Sequence, residues 1–237
     1  MENDKITTTG KTRRIIVAVD GYSSCGKSTI AKQLAQYAGY TYVDTGAMYR
    51  AVALYLHSHD INICEENLPA IENALQEIHI SFIHTDNGQH VCLNGKDVET
   101  RIRTLEIGSL ASQVSTIASV RRFLVKQQQE MGKEKGIVMD GRDIGTVVFP
   151  HAELKLFLTA SPEVRAQRRF LELQQKGQQP VFEDVLKDVN ERDYRDTHRK
   201  ESPLRQAEDA VLVDNSEMTR EQQMEEIIGI FNRRIHI

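Results

Sequence analysis

Gly21-Tyr22-Ser23-Ser24-Cys25-Gly26-Lys27-Ser28 fits the phosphate-loop pattern G-x-x-x-x-G-K-[ST]. Its flanks decide how it folds. Ile15-Ile16-Val17-Ala18-Val19, uncharged and mostly β-branched, reads as a buried strand. Ile30 to Ala35 reads as a helix. A strand feeding a glycine-bounded loop that opens a helix makes an anion cradle. Backbone N–H groups point inward, the helix N-terminus adds partial positive charge, and Lys27 adds a full one. The Ser28 hydroxyl can sit on a magnesium ion. The competing reading is a chance glycine-rich turn, which strand, lysine and helix in series disfavour. Lys27 is expected in a solvent-facing loop. Cys25 lies beside Lys27 and a helix N-terminus, both of which favour thiolate; the alternative is an inert side chain buried under the loop.

Lys and Arg number 30 against 34 Asp and Glu, a net charge of −4, which argues against a general nucleic-acid or membrane-surface binder. The 237 residues suffice for one α/β domain with insertions. Cys25, Cys64 and Cys92 show no metal or disulfide spacing, so a reducing, cytoplasmic setting is expected. No apolar run reaches membrane-spanning length. The stretch 1–14 is polar and lacks the apolar region of a signal peptide, and is expected to be a flexible tail.

Strand and helix patterns alternate along the rest of the chain. Tyr40 to Val43 suits a second strand ending at Asp44, with a helix from Thr45 to about His57. Ile78 to Ile83 and His90 to Leu93 read as strands, and Asn94-Gly95 signals a type I′ hairpin into Lys96-Asp97-Val98, a small flap. Helical patterning covers Arg103 to Ser115 and Val120 to about Lys135. Gly136 to Asp140 and Leu154 to Leu158 are strands, and Ser161-Pro162-Glu163 starts a helix that Gly177 ends. Ala210 to Asp214 is the last strand, and Thr219 to Gln222 forms a capping box for a terminal helix. This order implies a mostly parallel, doubly wound sheet.

Three further constellations carry chemistry. Asp140 ends an apolar strand, where it is either a second nucleotide-site acid able to hold magnesium or a loop-capping aspartate. Arg142 and Asp143 lie between Gly141 and Gly145, at the edge where open α/β sheets bind ligands. There an arginine can fork onto phosphate and a carboxylate can accept from an amino group; a surface ion pair is the alternative. Glu191 to Arg199 mixes arginines with acids, which charge pattern alone reads as a solvated helix. Arg165, Arg168 and Arg169, three and four apart, suit a triphosphate clamp or an exposed face.

Together these residues resemble the bacterial cytidylate kinase family, within the nucleoside monophosphate kinases. The resemblance rests on Asp20 to Ser28, Asp44 to Arg50, Ile102 to Thr104, Ala111 to Ser115, Asp140 to Pro150 and Arg192 to Arg199. It implies a three-layer P-loop NTPase fold with a parallel central sheet. It also implies one kinase domain over 15–237, a small monophosphate-binding insertion at about 62–100 and a mobile lid at about 161–180. The expected activity is ATP-dependent phosphorylation of CMP and dCMP with magnesium, by a cytoplasmic monomer that binds neither nucleic acid nor membrane. ATP would lie against Gly21, Tyr22, Ser23, Ser24, Cys25, Gly26, Lys27, Ser28 and Thr29. Ser112, Arg121 and Asp143 would meet the cytosine, Arg192 and Asp196 the ribose, and Arg50, Arg142 and Arg199 the acceptor phosphate, with Thr45 also on the CMP side. Lys27, Arg142, Arg199 and the lid arginines Arg165, Arg168 and Arg169 would stabilise the transferring group. The loop departs from the family's usual form at Tyr22 and Ser24, which leaves its conformation open. Two rivals stand: a kinase for UMP or a non-nucleotide acceptor on the same scaffold, which Asp143 at the base would separate, and a nucleotide-dependent switch, which needs no second anion pocket.

Overall fold

Strand β1, Ile16–Gly21, organises the molecule through its alternation. Val17 and Val19 join one apolar cluster and Ala18 another, as a side-chain period of two requires. The computed structural model describes residues 13–86 and 88–236, so the tail expected at 1–14 lies outside the described residues except for Arg13 and Arg14.

The central sheet has five parallel strands. With β2 Thr41–Asp44, β6 Ile137–Asp140, β7 Leu154–Thr159 and β8 Val211–Asp214, its order is β2-β6-β1-β7-β8. Three short strands, β3 Ile80–Thr85, β4 Gly88–Leu93 and β5 Lys96–Asp97, form a separate antiparallel sheet. Helices α1 Lys27–Ala38 and α8 Arg220–Ile235 pack on one face of the central sheet. The other face is covered by α2 Thr45–Ser58, α3 Leu68–Gln76, α4 Leu105–Val114 and α5 Ala118–Met131. These are the expected three layers. Parallel pairing sets Asp44 beside Asp140 and Asp140 beside Val19, so the loops after β1, β2 and β6 leave the same edge. That edge is where such sheets place ligands.

Local chemistry explains the joints. Asp44 caps α2 by accepting from the Ala47 N–H, Ser161 caps the helix after β7, and Thr219 with Gln222 makes the full capping box. Asn94 and Gly95 both take positive φ, 50° and 75°, as a type I′ hairpin demands. Helix α3 was not foreshadowed by the sequence reading, although Ile71, Ala74 and Leu75 give it a buried stripe. The insertion is also no loose flap. Ile71, Leu75, Ile80, Val91 and Val98 share one core with α2 and α5. By contrast, α6 Pro162–Gln175 and α7 Phe182–His198 form a helical pair with its own small core of Ala166, Leu173, Val185 and Val189.

Candidate active site

The phosphate loop is built by glycines at two places. Gly21 has φ 141°, and a β-carbon there would run into the Leu158 carbonyl. Gly26, with φ 84°, turns the chain into α1. Ser24 adopts φ 57°, so this departure from the family's loop still takes a left-handed turn. Tyr22 packs edge-on against Phe157, and its ring faces the Arg165 guanidinium at 5.1 Å.

One expectation about the loop is corrected, and of the two readings of Cys25 the buried one holds. Lys27 is not solvent-facing: it is buried at the first position of α1, and its ammonium donates to the Tyr22 carbonyl. Burial pulls its pKa down to about 8, with Arg142 and Arg192 adding to the effect and Asp140 opposing it. Cys25 is fully buried in the apolar cluster beneath the loop, its thiol 2.9 Å from the Tyr22 carbonyl oxygen. It packs as a small hydrophobe, and the strained loop wraps over it.

Beside the loop stands a cluster that spans three elements. Ser28 on α1 donates to Asp140 Oδ2 at 2.8 Å, and Tyr42 on β2 donates to Asp140 Oδ1 at 2.8 Å. Thr45 Oγ1 donates to the Asp140 carbonyl at 2.7 Å, so it braces this acid. Burial, together with the nearby Asp44, raises the Asp140 pKa to about 6. Of the two readings of Asp140, the nucleotide-site acid is the one this geometry favours, because its carboxylate holds side chains of the cradle.

The acceptor side collects arginines. Arg142 Nε donates to Asp196 Oδ2 at 2.8 Å, and although burial opposes it, Arg142 and Arg192 hold the Asp196 carboxyl below its ordinary range. Arg192 itself is lowered to about 10 by burial and by Arg142. Arg121 is paired with Asp143, and Arg199 Nη2 lies 3.7 Å from the other carboxylate oxygen. Arg50 donates to the Ile102 carbonyl at 3.2 Å. Four buried atoms here have no hydrogen-bond partner among the described residues: Ser112 Oγ, Arg121 Nε, Arg192 Nε and Arg199 Nη2. One cavity of about 340 Å³ joins all of this, running from Ser23, Lys27 and Ser28 past Arg50, Arg142, Arg192 and Arg199 to Ser112, Arg121 and Asp143. The segment Glu191 to Arg199 is therefore two-faced: Arg192, Asp196 and Arg199 line the cavity while Glu191, Tyr194 and Arg195 are exposed.

The lid arginines do not converge. Arg169 lines the cavity, paired with Glu172 at 2.8 Å. Arg168 turns away and holds the Asn215 side chain and carbonyl, both at 2.8 Å. Arg165 is buried between the Asp193 carboxylate, the Ala160 carbonyl and the Tyr22 ring. The sequence reading also passed over Asp44, Tyr49, Arg103 and Ser115, which line the same cavity. Asp44 and Tyr49 stand inside the motif around Thr45, a signal that could have found them. Asp20 was passed over too: its carboxylate accepts from the Ile144 and Gly145 N–H groups at 2.8 and 2.7 Å and so anchors the segment after Arg142 to β1. Burial raises its pKa to about 7.

Residues 17–233 match the family described as cytidylate kinase. The cytidylate kinase of Parabacteroides distasonis is 54% identical over 229 residues, covering 94% of this chain and 99% of that protein. That of Flavobacterium johnsoniae is 53% identical over 228 residues, covering 95% and 99%. Among solved structures, an uncharacterized protein from Eubacterium ventriosum superposes with a TM-score of 0.50 at 11% identity, covering 94% of this chain and all (100%) of that one, a likeness of fold alone.

Proposed function

This chain belongs to the cytidylate kinase family, and from that premise we propose that it transfers the γ-phosphoryl group of ATP to CMP and dCMP, giving CDP and dCDP. The observation that carries the reading is the single cavity that leads from the phosphate loop, through an arginine-lined pocket, to Ser112, Arg121 and Asp143. A nucleotide switch would need only the first of these parts.

An oxygen of the acceptor phosphate attacks the γ-phosphorus in line, the bond to the β–γ bridging oxygen breaks, and ADP leaves. The acceptor oxygen is already anionic near neutral pH, so no general base is required. Catalysis is then positioning and charge stabilisation. Lys27 supports the phosphates of ATP. Arg50, Arg142 and Arg199 hold the acceptor phosphate, with Arg192 and Asp196 towards the ribose. Arg169 is the lid cation that the cavity already contains. Arg165 and Arg168 join only if lid movement frees them from Asp193 and Asn215. Closure of the lid excludes water, the competing acceptor.

Magnesium fits the Ser28–Asp140 pair. One hydroxyl and one carboxylate side by side match an ion that takes few protein ligands and completes its shell with phosphate oxygens and water. When bound, the ion neutralises charge on the β- and γ-phosphates.

A monomer is the expected state, and light scattering on the purified protein tests it. Three unpaired cysteines support a cytoplasmic setting. The net charge supports nucleotides rather than nucleic acid as ligands. Among the described residues no helix is long and apolar enough to cross a membrane. A coupled assay of ADP formation with a panel of monophosphates tests the activity. CMP and dCMP should serve well and AMP and GMP poorly. No stimulation by any monophosphate overturns the reading.

A further inference from the structure

The carboxylate of Asp140 is gripped on both oxygens, and only one grip comes from the phosphate-loop helix. Ser28 holds Oδ2 from the start of α1, and Tyr42 holds Oδ1 from β2. Tyr42 is 98 residues from Asp140 in sequence, yet parallel pairing of β2 with β6 brings the two strands side by side, Tyr42 opposite Val138 and Asp44 opposite Asp140. The Tyr42 backbone is itself pinned, because Gln89 on the insertion hairpin donates to its carbonyl at 2.8 Å. Asp140 is 4% exposed, so water offers little substitute for either grip.

A carboxylate with two oxygens can rotate about its χ2 torsion unless both are tied. With Oδ1 held by the phenol, Oδ2 stays beside the Ser28 hydroxyl. That hydroxyl donates to Asp140 and keeps its lone pairs free for a cation. The phenol thus fixes which oxygen faces the cradle, and its own hydrogen bond touches neither nucleotide. We propose that Tyr42 is a positioning residue that orients the Asp140 carboxylate, together with Ser28, toward a magnesium ion carried in with ATP. This rests on the magnesium reading given above. A filler role for Tyr42 in the core is the alternative, since its ring packs beside α1.

Tyr42→Phe separates the two roles, because it keeps the ring and removes only the hydroxyl. Binding of a non-hydrolysable ATP analogue is measured by calorimetry, once with magnesium and once with EDTA. Manganese is then titrated into the protein–analogue complex and followed by electron paramagnetic resonance. Outer partners of metal ligands usually change metal affinity by about 10–100-fold. The expected result is a manganese half-saturation raised about tenfold or more in Tyr42→Phe, with analogue affinity in EDTA unchanged within about twofold. Tyr37→Phe, which removes a surface phenol bonded to Asn232, serves as the control and should match wild type. Equal manganese binding by Tyr42→Phe and wild type, which a packing role predicts, overturns the proposal, as does an equal loss of analogue binding with and without metal. If wild type itself gains nothing from magnesium, the magnesium reading fails and the proposal fails with it, a result distinct from the first two.

Discussion

Asp143→Asn probes base choice at its source. Cytosine offers an exocyclic amino donor where uracil offers a carbonyl acceptor, and an ionised carboxylate can only accept. Asp143 is buried, with Oδ2 taken by Arg121 and Oδ1 3.7 Å from Arg199. Oδ1 therefore keeps acceptor capacity toward the cavity. Ser112 Oγ, also buried and without a hydrogen-bond partner among the described residues, can rotate to serve either base, so it discriminates weakly. A hydrogen bond to a charged group contributes about 1.5–3 kcal/mol. Because Arg121 already draws on this carboxylate, the lower end applies, and at about 1.4 kcal/mol per decade the kcat/KM ratio of CMP over UMP should narrow by about tenfold.

The same substitution removes the counter-charge of two buried guanidiniums. Breaking a buried ion pair costs about 3–5 kcal/mol, and Asn, still a hydrogen-bond acceptor, should fall at or below the low end. Steady-state kinetics with both acceptors, run beside denaturant unfolding, give the two effects separately. A clear loss of stability with an unchanged CMP/UMP ratio would refute the argument: Asp143 would then anchor Arg121 and Arg199 without reading the base. Much of the narrowing should come from slower CMP turnover, since Arg199, the proposed acceptor-phosphate ligand, lies against Asp143.

Lys27→Ala should fold, since it removes a desolvated cation from the first turn of a helix, and should lower kcat by about a hundredfold or more; near-normal turnover would remove Lys27 from the mechanism. With its pKa lowered to about 8, Lys27 is a cation below that value and neutral above it, so kcat/KM for ATP should fall as pH rises through about 8. A profile flat to about pH 9.5 would contradict this assignment. Brief alkylation followed by peptide mapping should label exposed Cys64 ahead of buried Cys25 and Cys92, with or without ATP; early labelling of Cys25 would mean that the loop opens. Gly21→Ala forces a side chain into φ 141° and against the Leu158 carbonyl, and should lower unfolding free energy by about 3 kcal/mol or more. Unfolding as cooperative and as late as wild type would show that the loop can shift at little cost.

What was legible in the sequence was local. Gly21 to Ser28, Asn94-Gly95 and the caps at Ser161 and Thr219 specify their own geometry within a few residues, and the structure has each of them. Burial was not legible. A lysine in a glycine-rich loop shows its charge but not its depth, and the Lys27 ammonium is buried where it bonds back to the Tyr22 carbonyl of its own loop. The partners of the lid arginines were not legible either, for a geometric reason. Arg168 and Arg169 are adjacent, so a helix points them about 100° apart, and what they meet is then chosen by Asn215 and Glu172. Tyr42 failed for a topological one. Its partner is defined by strand pairing across the chain, and no spacing in sequence reports it.

The proposed roles on the acceptor side make phosphate affinity and base choice separable. Arg142, Arg192 and Arg199 lie in one cavity; burial and Arg142 lower the pKa of Arg192, and burial and Arg121 lower that of Arg199. Asp196 and Asp143 neutralise part of that charge and leave the rest unmet. Among the described residues Arg192 Nε and Arg199 Nη2 are buried donors without a hydrogen-bond acceptor, and a bound phosphate would satisfy them. Any nucleoside monophosphate can supply that phosphate, so these arginines cannot choose between bases. On the proposed reading the choice falls to the other end, at Ser112, Arg121 and Asp143. Arg199 touches both ends: it lines the arginine pocket and lies against Asp143. A base that fails to engage Asp143 leaves that carboxylate competing for Arg199. Phosphate placement then suffers, so the wrong base is penalised in turnover as well as in binding.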